Sequence, residues 1–197
     1  MKETIIIIIF LSILIIFINI NKGEVYYEES FIDKNSYLVR NLKDKKKAAN
    51  MLATIMHNLK NLIVYTKKYI NNSNDSDDKE MLQYVETIYN KIDYIKVREA
   101  SANNKYTSYS INKGEEIVFC LRSKSTNKLH NINEIMYVAI HEIAHVGCPE
   151  IGHTRLFTII NQYLLKRAVE IKVYKYVNYE DFPHDYCGMQ LTTTLLN

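Results

Sequence analysis

Two histidines and a glutamate stand in the run His141-Glu142-Ile143-Ala144-His145. On a helix, positions i and i+4 lie one turn apart on one face, so both imidazoles can grip a single ion. Glu142 follows His141 directly and falls close enough to reach a water on that ion without ligating it. Neutral imidazoles suit Zn2+, and three protein ligands with a fourth position open are what hydrolysis needs. A third histidine, His153, follows with seven residues between it and His145. Pro149 and Gly152 lie in that interval and mark a turn, so the returning chain can present His153 to the same ion. The expected site is therefore Zn2+ held by His141, His145 and His153, with Glu142 as general base. Glu170 and His184 compete for the place of third ligand. His57 reads as an ordinary residue, as does His130, although His130 precedes the helix closely enough to support a ligand. The plainer alternative is a pair of buried, hydrogen-bonded histidines. It is disfavoured because two imidazoles and a carboxylate are costly to bury without a compensating partner.

These residues need elements to hold them. Ile135, Met136, Ala139, Ile140, Ile143 and Ala144 repeat at helical spacing, which predicts a buried helix over 133–146. Asn131 or Asn133 can cap it, and Gly147-Cys148-Pro149 ends it. A further helix is expected over 153–174. Upstream, β-type runs at 106–111 and 116–122 flank Asn112-Lys113-Gly114-Glu115, a hairpin signal. Earlier still, Leu52, Ile55, Leu59, Leu62 and Ile63 predict a helix over 43–70. Met81, Val85, Ile88 and Ile92 predict a second, with Asp77 or Asp78 as its cap. Short strands are expected at 36–40 and 189–193. The sum is an α+β domain, mostly helical, with an antiparallel β-hairpin or sheet beside the helix that carries the histidines.

Composition sets outer limits. The chain has 197 residues, is 47% hydrophobic and 24% charged, and contains 2 prolines, so a real core rather than extended disorder is expected. A net charge of +3 falls short of the basic footprint of a nucleic-acid binder. Cys120, Cys148 and Cys187 are widely spaced with no CxxC pair, and read best as small buried hydrophobes. Residues 5–20 are almost wholly apolar, interrupted by Ser12 and Asn19. Residues 1–22 are thus expected to form one hydrophobic helix, a transmembrane anchor or a signal peptide. Residues 23–35 read as a stalk, and 36–197 as the folded domain. Attachment is expected as a single-pass N-terminal anchor, with secretion as the alternative and the orientation open.

The stretch MYVAIHEIAHVGCPEIGHTRLF resembles the core of the small zincin metallopeptidases of the WLM and SprT types, in particular the WLM-like proteins of large DNA viruses. Those families pair HExxH on one helix with a short turn and then His-x-x-x-Phe. Here His141, Glu142, His145, His153 and Phe157 match that pattern. The interval of seven before His153 is longer than is usual for WLM proteins, so the turn carries an insertion. The resemblance implies a zincin-like fold with strands beside the cleft, a zinc cofactor, and endopeptidase-type hydrolysis of a protein or peptide substrate.

The expected activity is peptide-bond hydrolysis by a zinc-activated water, with Tyr186 or His184 as candidate stabilisers of the oxyanion. The alternative is a catalytically inactive zinc-binding protein of a membrane or virion. Retention of Glu142 weighs against it, because a scaffold needs no base.

Overall fold

The computed structural model describes residues 24–193, together with 7, 11, 195 and 196. The N-terminal hydrophobic helix expected over 1–22 lies outside the described residues, apart from Ile7 and Leu11. Among the described residues, no helix is long and apolar enough to cross a membrane.

The chain is α+β. It opens with strands β1 (Val25–Glu29) and β2 (Ser36–Arg40), antiparallel partners from Val25 opposite Arg40 to Glu29 opposite Ser36. The expected stalk over 23–35 therefore carries a paired strand. Its sequence, VYYEE, is almost wholly exposed, so it shows none of the in–out alternation that marks a half-buried strand.

Helices α1 (Lys45–Asn72) and α2 (Ser76–Lys91) follow. The buried face of α1 carries Leu52, Ile55, Leu59, Leu62 and Ile63, each 0% exposed. At roughly 1.5–3 kcal/mol for each fully buried side chain of this kind, this stripe is a main contributor to the core. Asp75 caps α2 by accepting the N–H of Asp77, so the helix begins earlier than its acidic residues suggest.

Strands β3 (Lys96–Glu99), β4 (Tyr109–Ile111) and β5 (Glu116–Phe119) form one sheet in the order β3-β5-β4. The β4–β5 pair is the expected antiparallel hairpin. The β3–β5 pair is parallel, so the sheet is mixed rather than antiparallel throughout. Helices α3 (Ile132–Gly147) and α4 (Arg155–Glu170) come next, followed by the antiparallel hairpin β6 (His184–Tyr186) and β7 (Met189–Leu191).

Helix α3 is the central element, and it packs against α1, α2, α4, β4 and β5. Its last residue shows how close this packing is. A Cβ on Gly147 would stand 2.8 Å from Ile88 Cδ1 and 2.9 Å from the Tyr84 backbone oxygen. Any larger residue there would force α2 away from the end of the histidine-bearing helix.

Cys120 and Cys187 are joined by a disulfide, with 6.4 Å between their Cα atoms, while Cys148 is free and buried. Reading all three as buried thiols is thus corrected for two of them. The bond ties the end of β5 to the turn of the β6–β7 hairpin.

Candidate metal centre

Local capping defines the two helices that bring the histidines together. Asn131 begins α3 by accepting the Asn133 N–H at 2.8 Å. The helix stops at Cys148, which is extended as the residue before a proline tends to be. The chain then turns through Gly152, whose φ of +83° is a conformation most residues avoid. Thr154 caps α4 by accepting the Phe157 N–H at 3.3 Å. His153 therefore lies in the turn just before α4, and not within the helix as its periodicity suggested.

The three expected ligands converge. Nε2 of His153 is 3.0 Å from Nε2 of His141 and 3.3 Å from Nε2 of His145. Two nitrogens held about 2.0–2.1 Å from one ion at a tetrahedral angle lie about 3.3 Å apart. The triad thus has the spacing of a tetrahedral nitrogen site, and an all-imidazole donor set suits Zn2+. Phe157 stacks on the His145 ring with centroids 4.0 Å apart, and meets the His141 ring edge-on at 4.9 Å.

Burial depresses the His141 imidazole to about 3, and the neighbouring His145 and His153 add to the effect. Burial also takes His145 down to about 4, with His153 and Lys113 contributing. Both rings are therefore neutral at pH 7, each with a lone pair free for an ion. Glu142 is 6% exposed. Burial pushes its carboxyl up to about 7, against the pull of the Ser110 backbone N–H.

A cleft of about 840 Å3 opens over the triad. One wall carries Thr107 to Ser110, including the start of β4. The other carries Met189, Gln190 and Leu191 of β7, with Thr193 and Leu195 beyond. The disulfide at Cys187 thus anchors the hairpin that builds the second wall.

Lys113, in the β4–β5 turn, reaches across to the α3–α4 turn. Its ammonium donates to Cys148 O at 3.0 Å, and also to the carbonyls of Pro149 and Glu150. Asn161, on α4, is 1% exposed, and its Nδ2 stands 3.5 Å from His141 Nδ1. Neither residue was singled out from the sequence. Asn161 did leave a signal, as a polar residue among the buried Phe157, Ile160, Leu164 and Leu165 of α4.

The remaining candidates are placed elsewhere. Tyr186 is fully buried and its hydroxyl lies 2.9 Å from Ser108 Oγ. His184 is exposed and pairs with Glu134 at 3.0 Å. Neither is among the residues lining the cleft, although Tyr186 lies behind Ser108, which is. Glu170 pairs with Arg167 at 3.1 Å, at the far end of α4. His130 packs on Tyr186 and pairs with Glu134, and His57 bonds Asn61.

Fold and cluster together define an α+β domain with a histidine triad and a buried carboxylate on a central HExxH helix. No protein-family model matches the chain. The chain is 40% identical over 175 residues to the uncharacterized protein R325 of Acanthamoeba polyphaga mimivirus, covering 89% of this chain and 86% of that protein. It belongs to the same family as R325. A shorter match is 38% identical over 82 residues to the uncharacterized protein 042R of Invertebrate iridescent virus 3, covering 42% of this chain and 50% of that protein. Another is 35% identical over 82 residues to the uncharacterized protein 136R of Invertebrate iridescent virus 6, covering 41% and 44%. Wss1 from Saccharomyces cerevisiae overlays with a TM-score of 0.36 and 18% identity, covering 49% of this chain and 83% of that one. A score that low adds no weight to either fold or function.

Proposed function

We propose that this protein is a zinc metallopeptidase that hydrolyses peptide bonds in a protein or peptide substrate. One observation carries the reading: three imidazole nitrogens at tetrahedral-ligand spacing, with the buried Glu142 beside them, at the floor of an open cleft. The resemblance of residues 137–157 to the WLM and SprT motif supports it.

His141, His145 and His153 would hold the ion through Nε2. Bound Zn2+ supplies Lewis acidity toward the scissile carbonyl and toward water. Glu142 takes a proton from the attacking water and delivers it to the leaving nitrogen as the C–N bond breaks. Its raised carboxyl suits both halves of that transfer near neutral pH. Among the described residues β4 ends its sheet, so an extended peptide can add there as a further strand, beside the Ser110 N–H that holds Glu142. In this reading the apolar run at 5–20 attaches the protein to a membrane and places the substrate near one.

The test uses the full chain in detergent. Bound metal is measured by elemental analysis, and cleavage of an unfolded protein is compared with that by Glu142→Gln. One zinc per chain in both, with cleavage in the wild type alone, is the expected result. No stoichiometric zinc in the wild type overturns the metal site. Equal cleavage by the two proteins overturns the role of Glu142.

A further inference from the structure

A helix-borne metal ligand needs its second ring nitrogen fixed as well as its first. If His141 coordinates through Nε2, its one remaining ring proton sits on Nδ1, which then becomes a hydrogen-bond donor. The group facing that nitrogen is Nδ2 of Asn161, at 3.5 Å, and it is also a donor. The carboxamide oxygen of the same residue, Oδ1, is buried with no hydrogen-bond partner. Asn161 is 1% exposed, so water does not reach it freely. An asparagine at such a site carries the cost of an unsatisfied buried acceptor.

A half-turn of the carboxamide about its last side-chain torsion exchanges oxygen and nitrogen, which have nearly the same shape. Oδ1 then faces Nδ1–H, and an approach of a few tenths of an ångström completes an ordinary N–H···O bond. The donor–donor contact becomes a donor–acceptor pair and the oxygen gains a partner, while Nδ2 takes the buried position the oxygen left.

We propose that Asn161 is the positioning residue for the first metal ligand: its side-chain oxygen accepts Nδ1–H of His141 and holds the ring with Nε2 toward the ion. The arrangement selects the Nδ1–H tautomer, fixes the rotation of the ring, and makes Nε2 a better donor. It also accounts for a lone amide in the apolar stripe of α4, where Leu would pack without the cost of a buried polar group. The inference rests on the zinc reading above and adds to it a specific partner on the second helix.

The experiment measures zinc affinity by competition with a chromogenic chelator, for the full-length wild type, Asn161→Leu and Asn161→Asp. Partners of this kind typically contribute 10–100-fold in metal affinity. The Leu variant, similar in size but without an acceptor, is expected to bind zinc about 10–100-fold more weakly. The Asp variant keeps an acceptor at the same place and is expected to bind at least as tightly as wild type. Thermal unfolding of the metal-free proteins separates positioning from packing. The metal-free Leu variant is expected to melt no lower than wild type, because its loss appears only when zinc is bound. A Leu variant with wild-type zinc affinity overturns this inference and leaves the metal site standing. An Asp variant as weak as Leu overturns it also. A wild type that binds no zinc overturns both.

Discussion

Replacing Lys113 by Met tests whether the α3–α4 turn is held in place from outside. The ammonium donates to three carbonyls of that turn, and the shortest link to a buried residue is the 3.0 Å bond to Cys148 O. The acceptors on Pro149 and Glu150 are exposed, so water replaces the lysine there at little cost. A hydrogen bond to a charged group is worth about 1.5–3 kcal/mol, and the Cys148 bond alone is counted at that value. If the loss appears fully in the placing of His153, zinc affinity falls by about 10–150-fold, at 1.4 kcal/mol for each tenfold. An opposing effect is repulsion between the lysine and a bound cation, which Met would relieve. Lys113 acts on His145, but it is partly exposed, so solvent and salt weaken its repulsion of a cation there, and the loss of positioning is expected to exceed the relief. The assay is chelator competition at low and high salt, with amide hydrogen exchange followed over residues 148–153. Weaker zinc binding at both salt concentrations and faster exchange in the turn are expected. Binding as tight as wild type, or tighter at low salt, would refute the reasoning.

Three further outcomes follow from other parts of the fold. Cys187→Ser, or full reduction, removes a link across a sequence separation of 67 residues. The chain-entropy relation puts this near 4 kcal/mol, so the melting temperature should fall by about 10 °C in calorimetry; an unchanged melting point in protein with two thiols titrated after unfolding for the variant, or three for the reduced chain, would contradict it. Cleavage by the wild type should be present at neutral pH and lost as pH falls and Glu142 takes up its proton. Burial, net of the Ser110 N–H, places that carboxyl at about 7, and a nearby cation draws it lower, so the midpoint of the acid limb belongs between its ordinary value and 7. Rate–pH profiles check this, and a midpoint above 7 would count against Glu142 as the base. Glu99 and Arg122 are 1% and 3% exposed and meet at 2.7 Å. Glu99→Gln leaves the buried guanidinium with one carboxylate, Asp44 at 2.8 Å, in place of two, and should cost about 1.5–3 kcal/mol in urea unfolding with zinc affinity unchanged.

The triad was legible because its information is local. The i, i+4 spacing, the apolar flanks and one short turn place all three histidines with almost no reference to the rest of the chain. Strand β3 was not legible. Its four residues, Lys96, Val97, Arg98 and Glu99, are mostly charged, and they become a strand through parallel pairing with β5 and the bridge from Glu99 to Arg122. Strand β1 escaped notice for a related reason: both its faces are polar or exposed, and its partner alone defines it. The burial of Tyr186 was not legible either, since it depends on β4 and on the disulfide beside it. That disulfide joins residues on opposite sides of both histidine-bearing segments, and no spacing rule reaches so far.

The same covalent link has a consequence for the chain as a substrate. Residues 120 and 187 close a ring that contains α3, α4 and every candidate ligand. An accessible stretch inside it includes Ile151, 89% exposed, on the rim of the cleft. If the backbone is severed there, the two fragments remain one molecule, with His141 and His145 on one fragment and His153 on the other. Such a nick is invisible by gel until a reductant is added. The centre can then outlive a break in the peptide bonds that built it, for as long as the sulfurs stay joined.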